Sequence, residues 1–276
     1  MIQKLRTFDA RKSLGQNFLY EGNIARKLLN IFAPSPEDTI IEVGPGFGAL
    51  TEHLVPSGCH YIGVEIDKRL VAELHQRFSQ FENFQLRNCD FLRFDLADAC
   101  DKEASVRLIG NIPYHITSSI IFKAFDQHHL MKDMMLMMQK EVAQRIVAEH
   151  GNKEYGILSV VSKTYAAPKI VATIPPTVFI PRPDVDSAVV HWDFSVKPKR
   201  QPVDDDFFRL FVRTIFNQRR KMLRNTLKTL GDVSAFTQST GHDVQCRPEE
   251  LSVQAIIDLC NEFYKFSFAK KDTDVL

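Results

Sequence analysis

The chain has 276 residues, 44% of them apolar, and its 35 basic and 34 acidic side chains leave a net charge of +1. That length suits one large domain plus a small one, and the apolar share is enough for a real core, as in a globular protein. No run of about 18 apolar residues occurs, and residues 1–6 carry charge without a following apolar stretch, so neither a membrane span nor a secretory signal is expected and the cytoplasm is the expected compartment. The five cysteines (Cys59, Cys89, Cys100, Cys246, Cys260) are odd in number and lack a Cys-x-x-Cys pair, which argues against a disulfide framework or a zinc site.

Residues 1–20 hold a basic arm, including Arg11 and Lys12, that leads into a helix over Asn23 to Phe32. Thr39 to Val43 is a β-branched run that ends in Gly44-Pro45-Gly46-Phe47-Gly48, so it reads as strand, glycine loop and then helix. A second strand, Tyr61 to Val64, ends at Glu65, and Leu70, Val71, Leu74 and Phe78 mark the next helix. Phe84 to Leu86 reads as a third strand before Asp90 and Phe91, and Val106 to Ile109 as a fourth before Asn111-Ile112-Pro113-Tyr114. A helix carrying Ile120, Ile121 and Phe125 follows, then a buried strand over Met134 to Met138, a helix from Lys140 to His150, and a last strand over Ser187 to Phe194. The stretch Gly156 to Val161 is apolar and fits either helix or strand. Strands alternating with helices imply an α/β fold with a mainly parallel sheet covered on both faces.

Residues 196–202 hold two prolines and three charges and read as a linker. The expected division is therefore a first domain over 1–199 and a small helical domain over 200–276, with helices at Asp204 to Phe216, Lys221 to Leu230 and Pro248 to Phe263. Charge is segregated along the chain: +4 over residues 1–27, −7 over 28–105, +7 over 195–230 and −4 over 231–276. Two basic segments flanking an acidic body are a footprint for a polyanion. In the second of them Arg220 or Lys221, Arg224 and Lys228 recur at helical spacing, which presents one positive face to phosphate oxygens.

The glycine loop follows a strand directly, but its spacing is not the Gly-x-Gly-x-x-Gly of dinucleotide folds. Glu65, at the second strand end, can accept from two ribose hydroxyls, and Asp90, at the third, from an adenine amino group with Phe91 beside the ring. With no lysine to cradle phosphates, this set points to S-adenosylmethionine. Asn111 to Tyr114 then suits a planar amine. The Asn111 side-chain oxygen and the Ile112 or Pro113 carbonyl can accept the two hydrogens of an adenine N6, Tyr114 can stack on the base, and Phe179 is the candidate for its other face. The histidines, among them His115 and the pair His128-His129, lack metal-ligand spacing, so no metal is expected.

Lys12-x-x-Gly15-Gln16-Asn17-Phe18-Leu19, Glu42-Val43-Gly44-Pro45-Gly46-x-Gly48, Glu65-x-Asp67, Asp90-Phe91-Leu92, Asn111-Ile112-Pro113-Tyr114 and Phe179-x-Pro181-x-Pro183-x-Val185-x-Ser187 together resemble the KsgA/RsmA family of rRNA adenine-N6,N6-dimethyltransferases. The match in order and spacing runs over nearly the whole chain, with Ile112 where the family usually has leucine. The resemblance implies a Rossmann-like S-adenosylmethionine-dependent methyltransferase sheet with a small C-terminal all-helical domain. It also implies dimethylation of two adjacent adenosines near the 3′ end of small-subunit (16S) rRNA within a 30S particle, as part of 30S biogenesis; nothing in the sequence suggests an obligate oligomer, so a monomer is expected. By the same resemblance Asn17, Leu19, Gly44, Gly46, Glu65, Asp90 and Asn111 would line the cofactor site, and Asn111, Tyr114 and Phe179 the target base. Phe216 to Asn225 with Lys228, including Arg219, Arg220, Lys221 and Arg224, resembles the family's second domain and would bind RNA. Two alternatives are a methylase of large-subunit rRNA of the antibiotic-resistance type and a non-catalytic assembly factor.

Overall fold

The computed structural model describes residues 2–9, 14–99, 105–218 and 221–273. Its contacts divide the chain into two compact units, Met1–Ala143 with Pro168–Ser195, and Gln144–Ala167 with Val196–Leu276. The expected break at 199/200 lies close to the third of these crossings, at 195/196. The contacts also group Gln144–Ala167 with the later helices.

The strands are β1 (Phe18–Leu19), β2 (Thr39–Val43), β3 (His60–Val64), β4 (Phe84–Arg87), β5 (Val106–Asn111), β6 (Met131–Gln139), β7 (Ala167–Ile174), β8 (Phe179–Ile180) and β9 (Ser187–Asp193). Seven of them form one sheet in the order β4-β3-β2-β5-β6-β9-β7, in which β2 to β6 pair in parallel and β9 runs antiparallel to β6. β1 and β8 form a separate antiparallel pair. Helices α1 (Ile2–Thr7), α2 (Gly22–Phe32), α3 (Thr51–Leu54), α4 (Lys68–Phe78) and α5 (Thr117–Asp126) belong to the first unit, and α6 (Lys140–Val147) crosses its boundary.

Burial explains these choices. β6 reads Met-Lys-Asp-Met-Met-Leu-Met-Met-Gln, and Met134 to Met138 are all at most 2% exposed. Met135 and Met137 join Leu28, Ile40 and Tyr61 in one core, while Met134, Leu136 and Met138 are buried by the opposite face, as expected of a strand covered on both sides. In α2 the residues Ala25, Leu28, Leu29 and Phe32 recur at helical spacing and are buried. Asp67 caps α4, and its carboxylate accepts from the Arg69 N–H and so satisfies one orphan donor of the first turn.

β2 lies between β3 and β5, so the chain leaves it on one side and returns on the other. This reversal opens a crevice at the carboxyl ends of β2 and β5, where open α/β sheets bind ligands. At Thr39 to Val43 the register pairs Val43 with both Val64 and Gly110, which brings Gly44, Glu65 and Asn111 to one edge.

The second unit is helical: α7 (Ile157–Tyr165), α8 (Asp205–Asn217), α9 (Leu223–Thr226), α10 (Val233–Thr240) and α11 (Val253–Thr273). The undecided stretch near Gly156 is helix α7. It packs against α8 and α11, and its Tyr165 hydroxyl donates to Asp205 at 2.8 Å. Those contacts assign it to this unit. The helix expected from Lys221 to Leu230 is shorter: Lys221 precedes α9, and Leu227–Thr229 is a 3₁₀ turn. α10 and the edge strand β7 were not expected from the sequence. No helix among the described residues is long and apolar enough to cross a membrane.

Candidate active site

A cavity of about 270 Å³ opens at the carboxyl edge of the sheet. Asn17, Leu19, Gly44, Gly46, Glu65, Asp90, Phe91, Asn111, Pro113 and Tyr114 all line it, so ten positions expected from the sequence converge on one space. Glu42, Ile66 and Gln16 line it as well. The sequence signal for Glu42 was present: it sits in the strand just before the glycine loop, as Glu65 closes the next one. Ile66 was hidden between two carboxylates and is 50% exposed at the cavity, an apolar surface that a flat ring would cover.

Each group is held by its own element. Gly44 has φ +63°, and a Cβ placed there would enter open space, so backbone faces the cavity without a side chain in the way. Gly46, at φ +60°, donates its N–H to Glu65 Oε2 at 3.1 Å, and the Asp67 N–H donates to Glu65 Oε1 at 2.9 Å. Two backbone donors therefore fix a carboxylate that is 4% exposed. Burial pushes the Glu65 carboxyl up, and these two bonds oppose the shift. Asp90 accepts from the Leu92 N–H through Oδ1 at 3.0 Å, and its Oδ2 takes part in no hydrogen bond among the described residues. Arg69 holds the Asp67 carboxyl down at about 2 and pairs with it at 2.6 Å.

Asn111 ends β5, and its Nδ2 donates to the Asn17 carbonyl at 2.8 Å. A carbonyl can only accept, so the amide must present its NH2 to Asn17 and its Oδ1 away from it. The Tyr114 hydroxyl lies 2.7 Å from Ser187 Oγ, and burial raises the phenol above its ordinary range, so it stays protonated at neutral pH.

The geometry bears on one open alternative and on the expected place of Phe179. The Pro113 carbonyl is engaged by the turn that follows, accepting from the Ile116 N–H and from Thr117 Oγ1, both at 3.3 Å. The Ile112 carbonyl accepts no hydrogen bond among the described residues. Phe179 does not line the cavity: it is 2% exposed and packs in the core with Leu19, Ile174 and Val189. The pairing of β1 with β8 sets Leu19 opposite Phe179, so both side chains point to the same, buried face. Phe18 and Ile180 take the other face, against Phe47.

In the second unit Lys221, Arg224 and Lys228 are exposed, while Leu223, Thr226 and Leu227 between them are buried. Arg11, Lys12, Arg219 and Arg220 lie outside the described residues.

The donor set fits S-adenosylmethionine on its own chemistry. Among the described residues the cavity is lined by three carboxyl groups (Glu42, Glu65, Asp90) and by no lysine or arginine. Such a site favours a cationic ligand and disfavours phosphates. The open position above Gly44 leaves room for it.

A family model for ribosomal RNA adenine dimethylase matches residues 7–265. The ribosomal RNA small subunit methyltransferase A of Chlorobium phaeobacteroides is 42% identical over 254 residues, covering 91% of this chain and 93% of that protein. A crystal structure of a dimethyladenosine transferase from Plasmodium falciparum superimposes with a TM-score of 0.74 at 23% identity, covering 90% of this chain and 98% of that one. A 23S rRNA methyltransferase superimposes at 0.66 and 22% identity, covering 90% of this chain and 100% of that one.

Glu42 gives the site a measurable pH signature. It is 2% exposed, and burial raises its carboxyl to about 7, against the hydrogen bonds donated by Thr51 Oγ1 and the Tyr61 hydroxyl, both 2.7 Å from Oε2. The folded protein thus keeps a proton that the unfolded chain releases near 4.5, so this group's contribution to stability falls as pH rises from about 4.5 to about 7. Glu42→Gln retains both accepted bonds and cannot ionise. Urea unfolding should show the variant gaining on the native protein across that window, by about 3 kcal/mol at most; parallel pH profiles for the two would refute the assignment. The matched family model and the 42% identical relative, set on this cavity and this fold, establish that the chain belongs to the ribosomal RNA adenine dimethylase family.

Proposed function

We propose that this chain dimethylates N6 of two adjacent adenosines near the 3′ end of small-subunit rRNA, acting as a monomer in the cytoplasm on 30S particles during their biogenesis. The observation that carries the reading is the Asn111 amide, which lines the cavity and gives its NH2 to the Asn17 carbonyl, so that its oxygen is the end left for a ligand. S-adenosylmethionine, when bound, would supply a sulfonium methyl group that an amine nitrogen can attack, with the neutral thioether as the leaving group.

The chain's own residues would do the rest. Glu65 would accept from the ribose hydroxyls and Asp90 Oδ2 from the adenine amino group, with Ile66 and Phe91 covering the ring and Leu19 closing the apolar wall. The lone pair of an adenine N6 is delocalised into its ring. Asn111 Oδ1 and the Ile112 carbonyl would accept the two N6 hydrogens and leave the nitrogen lone pair directed at the methyl group. Tyr114 would stack on the flipped base, a contact worth roughly 1–3 kcal/mol. No side chain has to act as a general base first, because rate comes from alignment and from exclusion of water. Pro113 begins the turn that carries Tyr114, with φ −61°.

Support for the small subunit comes from the relative's name and its 42% identity over most of both chains. The fold alone does not separate the subunits, since a 23S rRNA methyltransferase shares it. Methyl transfer to undermethylated 30S particles and to 50S particles, followed by mapping of the modified bases, tests the reading. Label on two adjacent adenosines of 30S rRNA is expected; label on 50S particles alone would overturn it.

The helical unit would hold RNA through Lys221, Arg224 and Lys228, with Arg219, Arg220, Arg11 and Lys12 as further phosphate contacts. Neutralising Lys221, Arg224 and Lys228 together should weaken RNA binding and reduce the slope of log affinity against log salt by about 2 to 3. An unchanged slope would move the RNA surface elsewhere.

A further inference from the structure

Ser187 is the last residue of the Phe179-x-Pro181-x-Pro183-x-Val185-x-Ser187 pattern, and nothing in the chemistry above requires it. It opens β9, is fully buried, and pairs in register with Gln139 of β6. The preceding residue is fixed as well: the Lys140 N–H donates to the Asp186 carbonyl at 3.0 Å, and Lys140 Nζ reaches Asp186 Oδ2 at 3.3 Å. Ser187 is not among the residues that line the cavity. Among the described residues, its side-chain link to the site is the 2.7 Å hydrogen bond to the Tyr114 hydroxyl.

Tyr114 needs such a link. It begins a three-residue 3₁₀ turn, Tyr114–Ile116, on the loop beyond Pro113, and its ring is only partly buried. A ring held at its Cβ alone can swing about two torsions, and a base stacked on it would swing too. Displacement by about 1 Å is enough to cost a large part of the rate in a reaction that depends on alignment. A hydrogen bond from the far end of the ring to a residue locked in the central sheet removes that freedom.

We propose that Ser187 is a positioning residue for the methyl acceptor: its hydroxyl pins the Tyr114 ring to β9, and so sets the plane in which the target adenine stacks. The proposal rests on the reading that the base stacks on Tyr114. Ser187 touches neither base nor cofactor and exchanges no proton in the reaction.

The test is a double-mutant cycle, since Ser187→Ala and Tyr114→Phe delete the same bond from its two ends. Single-turnover methyl transfer is measured on undermethylated 30S particles, beside steady-state kcat and KM, cofactor affinity and thermal melting. Each variant should lose about tenfold in the transfer rate and in kcat, with KM for the particle and cofactor affinity within about twofold of the native protein. The double variant should be no slower than either single one. Losses that multiply to about a hundredfold, or a Ser187→Ala protein that transfers at the native rate, would overturn the proposal. So would a loss confined to KM or to cofactor affinity. If Ser187→Ala does not fold, Tyr114→Phe carries the test alone, because it changes only the tip of a partly exposed ring. Failure of the underlying reading looks different: the native protein would not label adenosine N6 on 30S particles, or Tyr114→Ala would remain fully active.

Discussion

The contact on which the site depends is the hydrogen bond from Asn111 Nδ2 to the Asn17 carbonyl. An amide can present either face, and only one serves a methyl acceptor. A carbonyl oxygen placed 2.8 Å from the nitrogen settles the orientation, because the reverse arrangement would oppose two acceptors. The bond joins residues 94 positions apart, so it exists only when the segment before β1 lies across the end of β5. The pairing of β1 with β8 holds that segment down. Phe8, Phe18 and Phe47, whose ring centroids are 4.9 to 5.7 Å apart, pack beside it.

Electrostatics sets the kind of ligand that this geometry receives. Glu65 is buried, yet two backbone N–H groups support its charge, whereas Glu42 is supported by two hydroxyls and repelled by Glu65. Two carboxyls in one cavity therefore have different natures: one is fixed by two backbone donors, and burial raises the other to about 7. No lysine or arginine among the described residues lines the cavity to offset them. The sheet's reversal at β2 and β5 creates the crevice, and the residues at the strand ends give it its sign.

Much of this was legible in the sequence because strand ends are marked by strong local signals. Runs such as Thr39 to Val43 and Val106 to Ile109 stop at glycine, carboxylate or the Asn111 motif, and the register carries those stops to one edge. Long-range pairing was not legible. Phe179 read as a stacking ring because nothing local says that it faces Leu19 across β1 and β8 and is buried by it. The choice between the Ile112 and Pro113 carbonyls depended on a 3₁₀ turn that the sequence does not specify. The grouping of Gln144–Ala167 with the later helices was not legible, because the linker at 196–202 carries a compositional mark while the chain also changes unit near 143 and 167 inside ordinary elements. The link of Ser187 to Tyr114 was not legible either, because the two lie 73 positions apart.

The orientation of the Asn111 amide is the central claim. A crystal structure with the cofactor and an adenosine-containing RNA oligonucleotide tests it most directly. N6 of the flipped base is predicted within hydrogen-bond distance of Asn111 Oδ1 and the Ile112 carbonyl, with Nδ2 still on the Asn17 carbonyl. An N6 bound to the Pro113 carbonyl, or an Asn111 side chain turned away from the base, would contradict it.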